Sequence, residues 1–264
     1  MKKLLSRLAG FECPLLILCI LAISISAFSA ETEPGDIRVL LTYGGHNFEQ
    51  KPFFEMFDKM PGVKYTRAPL PESAKLLKPG LEREYDVIVM YDMVKSFTDE
   101  QQAAFIDLLN TGIGVVSLHH NIGAHQEWGK FPKIIGGRYF INPQVYDGKE
   151  YGKSGFVHGE TIKVTIADKR HPITKGVSDF VIHDETYNWL YVSDKAHVLL
   201  TTDHPKCYRD ISWTTNYGNS PVFYLMLGHD SKAWHNPVYP KLLINGIHWA
   251  SSNIGGEGSE LRAK

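Results

Sequence analysis

Cysteine is nearly missing from this chain. Only Cys13, Cys19 and Cys207 carry a thiol among 264 residues. The first two lie in an apolar leader, so no disulfide can staple the remainder and an ordinary core must hold it. A basic excess is missing too. Lys and Arg number 28 against 29 Asp and Glu, for a net charge of −1 with both signs well mixed, and nothing suggests the basic face a nucleic-acid binder needs. There is no internal repeat, no low-complexity tract and no HExxH or similar close-set ligand spacing. The one long apolar run, from Pro14 to Phe28, is shorter than the roughly 20 residues of a spanning helix.

That run has the build of an export signal. Lys2, Lys3 and Arg7 precede it, and the small-residue box Ala27-Phe28-Ser29 closes it. Residues 1–29 are therefore read as a signal peptide, which sends the chain to the periplasm or the exterior. An uncleaved N-terminal anchor is the alternative. Bulky Leu18 before Cys19 argues against a lipid-modified cysteine. Because residues 1–29 hold Lys2, Lys3, Arg7 and Glu12, the chain without them carries a net charge of −3.

From residue 36 to 252 the pattern is that of one globular domain, followed by a polar tail over 253–264. Asp36 to Tyr43 reads as a strand that runs into Gly44-Gly45-His46, and Phe48 to Met60 as a helix stopped by Pro61-Gly62. Val63 to Ala68 and Tyr85 to Tyr91 read as further strands. Thr98 with Gln101 forms a capping box for a helix over Asp99 to Asn110. Val115, Val116 and Leu118 read as a short, fully buried strand of the parallel-sheet kind. Residues 136–158, rich in Gly, Tyr and Asn, read as a long loop or lid. Thr161 to Ile166 alternates as a half-exposed strand, 211–217 and 221–227 form a hairpin around Gly218-Asn219-Ser220, and Val238 to Ser251 is a closing helix. This β-α-β rhythm predicts an α/β fold with a parallel sheet.

Four strands end in titratable residues: His46, Asp92, His119 with His120, and His229 with Asp230. Ligands of open α/β sheets gather beyond the carboxyl ends of the strands, so these residues are expected to line one site. His119 is the candidate base or acid, oriented by Asp92, Glu185 or Asp230, with His46 as a further catalytic candidate. The same side chains allow a second reading, in which His119, His158, Glu185 and His229 hold a divalent metal, zinc or similar. His120, Asn121 and Asp230 are candidate substrate contacts. Tyr187 and Trp234, with Trp128, Tyr139 and Trp189, are candidate platforms for a sugar face. The other histidines, His125 and His248 among them, are assigned to structure or surface.

Taken in order, several short motifs resemble the ThuA-like (trehalose-utilisation) family: Gly44-Gly45-His46-Asn47-Phe48, Gly114 to His119, Gly136-Gly137-Arg138-Tyr139-Phe140, His171-Pro172-Ile173, Asp184-Glu185-Thr186-Tyr187, Leu227-Gly228-His229-Asp230 and Gly246 to Ala250. The resemblance spans about Ile37 to Ser251. It implies a flavodoxin-like three-layer sandwich with a mostly parallel central sheet, of the class I glutamine amidotransferase type. It implies no amidotransferase chemistry, because the turn that would carry the nucleophilic cysteine reads Leu118-His119-His120-Asn121. It implies a role in sugar catabolism and a substrate oxidised at carbon 3. Elimination, hydrolysis or isomerisation of such a (3-keto) disaccharide would use one base and one oxyanion stabiliser or metal. The expected partners are a small-molecule sugar, a sugar oxidoreductase, and a second copy of the chain in a homo-oligomer. A sugar-binding protein without chemistry, or an accessory subunit of that oxidoreductase, is the competing expectation.

Overall fold

A computed structural model describes residues 35–252. The expected signal peptide and the whole of the expected tail lie outside the described residues. Among them, no helix is long and apolar enough to cross a membrane.

The strands are β1 (Ile37–Gly44), β2 (Val63–Pro69), β3 (Val87–Asp92), β4 (Gly114–Leu118), β5 (Gly137–Arg138), β6 (Gln144–Tyr146), β7 (Lys149–Tyr151), β8 (Gly155–Ile166), β9 (Phe180–Asn188), β10 (Tyr191–Val192), β11 (His197–Thr201), β12 (Asp210–Tyr217) and β13 (Ser220–Leu225). The helices are α1 (Gln50–Asp58), α2 (Asp99–Leu109), α3 (Phe131–Ile135), α4 (Ser231–Trp234) and α5 (Val238–Ser251). Nine strands form one sheet in the order β2-β1-β3-β4-β13-β12-β11-β8-β9. The first five pair in parallel and the next four pairings are antiparallel. Only β12 and β8 therefore run against the rest.

The parallel half has the flavodoxin-like order, with a switch point between β1 and β3 where the chain turns in opposite directions. Right-handed crossovers then place α1 and α2 on opposite faces. β3, β4 and β13 are buried at every position, as their mostly apolar sequences fit in the middle of a sheet covered on both faces. The Thr98–Gln101 capping box forms in both directions. The closing helix packs on β1, β3, β4 and β13, and Gly246 lets it settle onto the Phe223 ring.

Residues 136–158 differ from the expected loop. They hold β5, the β6–β7 hairpin and the first residues of β8. The Gly and Tyr content marks tight turns and ring packing here: Asp147-Gly148 turns with positive φ, and Phe140 stacks on Tyr151 at 4.5 Å between ring centres. Pairing between β8 and β9 slips at one place. Val157 faces Thr186 and Glu160 faces Asp184, so His158 and Gly159 together stand opposite Glu185. This is a β-bulge, with Gly159 at φ +72°.

Candidate functional site

A cavity of about 230 Å³ opens beyond the carboxyl ends of β1, β3 and β4. His46, Met93 and His120 line it from those ends, Ile122 and Tyr139 from the following turns, and Phe156, His158, Glu185 and Tyr187 from the β8–β9 ribbon. β9 lies at the far edge of the sheet, yet the bent ribbon carries its last residues back over β4 and β13.

The turn after β4 forces His119 into a left-handed backbone conformation, φ 47°, which is uncommon outside glycine. Its side chain is fully buried. Nδ1 meets the carbonyl of Met226 at 2.7 Å, so the ring hydrogen resides there and Nε2 presents its lone pair. Around Nε2 stand the Tyr187 hydroxyl at 2.9 Å, Glu185 Oε2 at 3.1 Å and His229 Nδ1 at 3.2 Å. His229 Nδ1 is also 3.4 Å from Glu185 Oε2. The other carboxylate oxygen, Oε1, takes a 2.8 Å contact from Nδ1 of the half-exposed His158.

Burial alone would raise the Glu185 carboxyl, but the His119 and His229 imidazoles beside it outweigh burial and hold the group well below the usual range. Its hydrogen bond to Glu185 raises His229 in turn, against partial burial. Burial pushes the Tyr187 phenol well above its ordinary value. Burial, aided by the charges of His119 and His46, drives His120 well below the usual imidazole range; its ring stacks on His46 at 4.7 Å. Asp184 supports the site from beneath. Its carboxylate accepts the backbone N–H groups of Gly228 at 2.7 Å and His229 at 3.0 Å, which fixes the turn carrying His229.

His46, His119 and His229, expected together from their positions at strand ends, come together here with Glu185, which β9 carries in, and His120 and Tyr187 join them. Four other residues do not reach the cavity. Asp92 is fully buried and accepts from Thr42 Oγ1 at 2.6 Å; it touches neither His119 nor the cavity. Asn121 donates to the Asp92 carbonyl at 2.9 Å and meets Ser117 Oγ at 2.7 Å, so it ties β3 to the turn. Trp234 is core, packed on Phe53, its indole N–H on the Gly228 carbonyl. Asp230 caps α4 through the N–H groups of Lys232 and Ala233. His158 reaches the site through Glu185 and is not a member of the tight cluster of His119, Glu185 and His229. Tyr139 lines the cavity, Trp128 is core, and Trp189 is 70% exposed. Sequence reasoning missed Met93, Ile122 and Phe156, which carry no chemical signal, and the support given by Asp184.

The family model for trehalose utilisation, ThuA, matches residues 38–250. The chain belongs to the ThuA family. Among solved structures it is similar to a ThuA-like protein from Parabacteroides merdae, with 20% identity, 82% of this chain and 90% of that one covered, and a TM-score of 0.69. A ThuA-like protein from Bacteroides uniformis gives 21% identity, 84% and 95% coverage and a TM-score of 0.63. A β-galactosidase from Bacillus circulans sp. alkalophilus shares 8% identity over 82% of this chain and 31% of its own, with a TM-score of 0.52. At these identities the likeness establishes the fold alone, the α/β fold of ThuA-like proteins. No functionally curated protein matches the sequence.

Proposed function

We propose that this ThuA-family chain is an exported carbohydrate-active enzyme that cleaves 3-keto glycosides by β-elimination. The observation that carries this reading is the His158–Glu185 pair in the cavity wall. With its Nδ1 hydrogen held by a buried carboxylate, His158 keeps Nε2 as a base, the arrangement proton abstraction requires. The cavity suits a single sugar ring, with Tyr139 and Phe156 as its aromatic walls.

The reaction balances without a redox partner. His158 Nε2 takes the proton from carbon 2, which the carbon 3 ketone acidifies. The electron pair passes to the ketone oxygen as an enediolate. It returns to form the double bond between carbons 1 and 2 as the glycosidic oxygen leaves carbon 1. The departing oxygen collects the proton that His158 now carries, directly or through solvent, so the alcohol is released and His158 is neutral again. Water adding back across the double bond makes the net result hydrolysis. His46, His120 and Tyr187 are further polar side chains of the cavity wall available to the oxygens. An oxidoreductase must supply the ketone beforehand.

The test is incubation with a 3-keto glucoside and its unoxidised parent, followed by NMR. Exchange of the carbon 2 hydrogen and release of the alcohol are expected only from the keto sugar. His158→Ala and Glu185→Gln should each lower turnover by about 100-fold or more. Saturable binding with no exchange and no product would show a binding protein instead.

A further inference from the structure

We infer that His119 Nε2, Glu185 Oε2 and His229 Nδ1 form three corners of a tetrahedral divalent-metal site of the zinc type. The inference concerns the site proposed above but rests on ligand geometry, not on the identity of the substrate.

The three atoms come from the turn after β4, from β9 and from the turn after β13, and they make a nearly equilateral triangle. Its edges are 3.1, 3.2 and 3.4 Å. Nitrogen and oxygen ligands about 2.0–2.1 Å from zinc at tetrahedral angles are about 3.3–3.4 Å apart. The observed edges are those of one face of such a tetrahedron.

The Met226 carbonyl holds the His119 hydrogen on Nδ1, so Nε2 is left as an acceptor. The Tyr187 hydroxyl at 2.9 Å can donate to it, but that bond does not explain why a carboxylate oxygen stands 3.1 Å from the same lone pair. A cation between the two would bind both. A proton serves one edge of the triangle, whereas a metal ion serves all three corners at once. The surroundings match as well. A ligating histidine ordinarily gives its other N–H to a backbone carbonyl, and a ligating carboxylate has its spare oxygen bonded. His119 does the first through Met226 and Glu185 the second through His158. Two histidines and one glutamate leave a fourth position for a ligand from the cavity that Glu185 lines, the layout of an open rather than a closed site.

The test uses the purified full chain, stripped with a chelator and titrated with Zn(II) and with Co(II), whose visible bands report tetrahedral nitrogen and oxygen ligation. Binding of about one equivalent with such bands, and a rise in melting temperature with metal concentration, is expected. His229→Ala and Glu185→Gln should weaken binding by at least about 100-fold. The control His235→Ala, at an exposed position, should bind as the parent does. His229→Ala is chosen because its side chain is partly exposed; circular dichroism confirms that each variant is folded. No binding by the folded parent, or binding unchanged in both variants, overturns the site. Metal bound as expected with no turnover of the keto sugar leaves the site standing and sinks the reaction. Turnover that survives with no metal bound sinks the site and leaves the reaction.

Discussion

His119 Nδ1 and the Met226 carbonyl lie 2.7 Å apart in a fully buried contact. This one bond decides which nitrogen of His119 meets Glu185, and it joins the turn after β4 to the segment after β13. His119→Ala would strand that carbonyl without a partner and leave a void. A loss of about 2–4 kcal/mol in urea unfolding is expected. His119→Asn can restore the donor to Met226 but not the Nε2 lone pair. It should recover part of that stability without recovering metal affinity, and a loss of both in equal measure would contradict the assignment.

Asp92 predicts an unusual pH dependence. Burial raises its carboxyl to about 6, and the Thr42 hydrogen bond only partly opposes this. An ordinary aspartate titrates near 3.9 in an unfolded chain. Between those values the folded state holds more protons than the unfolded one, so stability falls as pH rises through that window. Above it the group costs up to about 3 kcal/mol. Asp92→Asn should therefore be more stable than the parent at pH 8, and the gain should vanish near pH 4. Chemical denaturation at both values measures it.

His125 sits 3.9 Å from Asp92 Oδ2, and neither of its ring nitrogens has a hydrogen-bond partner in the structure. Phe97, Trp128 and Phe131 surround it. Burial lowers its imidazole to about 3. A depressed histidine contributes stability that is complete above about pH 6.5 and is lost as pH falls towards the folded value. His125→Phe removes this proton uptake and the two unpaired nitrogens. It should stabilise the fold by about 1–3 kcal/mol at pH 7, and by more at pH 5. Because residue 125 stands at φ +50°, which costs phenylalanine more than histidine, the deciding readout is the difference between the two pH values: a variant whose stability relative to the parent does not rise from pH 7 to pH 5 would contradict the depressed imidazole.

Gly159 should tolerate substitution by conformation rather than by volume. A Cβ there meets nothing closer than 3.6 Å, but φ is +72°. Asparagine adopts this region far more readily than a β-branched residue. Gly159→Asn should cost about 1 kcal/mol and Gly159→Val more, about 2. Because His158 is the other bulge residue, the valine variant should also lose turnover, in parallel with His158→Ala. Thermal melts and keto-sugar kinetics on the same pair separate the two effects.

How far the sequence could be read depended on whether a residue's neighbours in the chain decide its place. The closing helix at Val238–Ser251 and the hairpin at 218–220 follow from local periodicity and turn chemistry, and both stand at the expected positions. So does the meeting of His46, His119 and His229, because strand direction carries strand-end residues to one edge. Asp92 shares that edge, but its side chain turns inward to Thr42, a choice made by packing across β1 and β3. Trp234 points to the site by residue type and Asp230 by its place after His229, although one is a wedge between helix and sheet and the other a helix cap. Glu185 is legible only as a carboxylate that could serve the histidines. Its route to His119, through a one-residue slip in a distant strand pair, has no signature in the local sequence beyond Gly159.

That slip makes the site a joint venture of two halves of the sheet. The imidazoles of His119 and His229 stand on the parallel half; the carboxylate and its companion His158 arrive on the antiparallel ribbon. A chain whose parallel half has folded but whose ribbon has not yet docked would hold two histidines with no anion between them. The charge-bearing centre is therefore finished by the same contact that closes the sheet over its own rim.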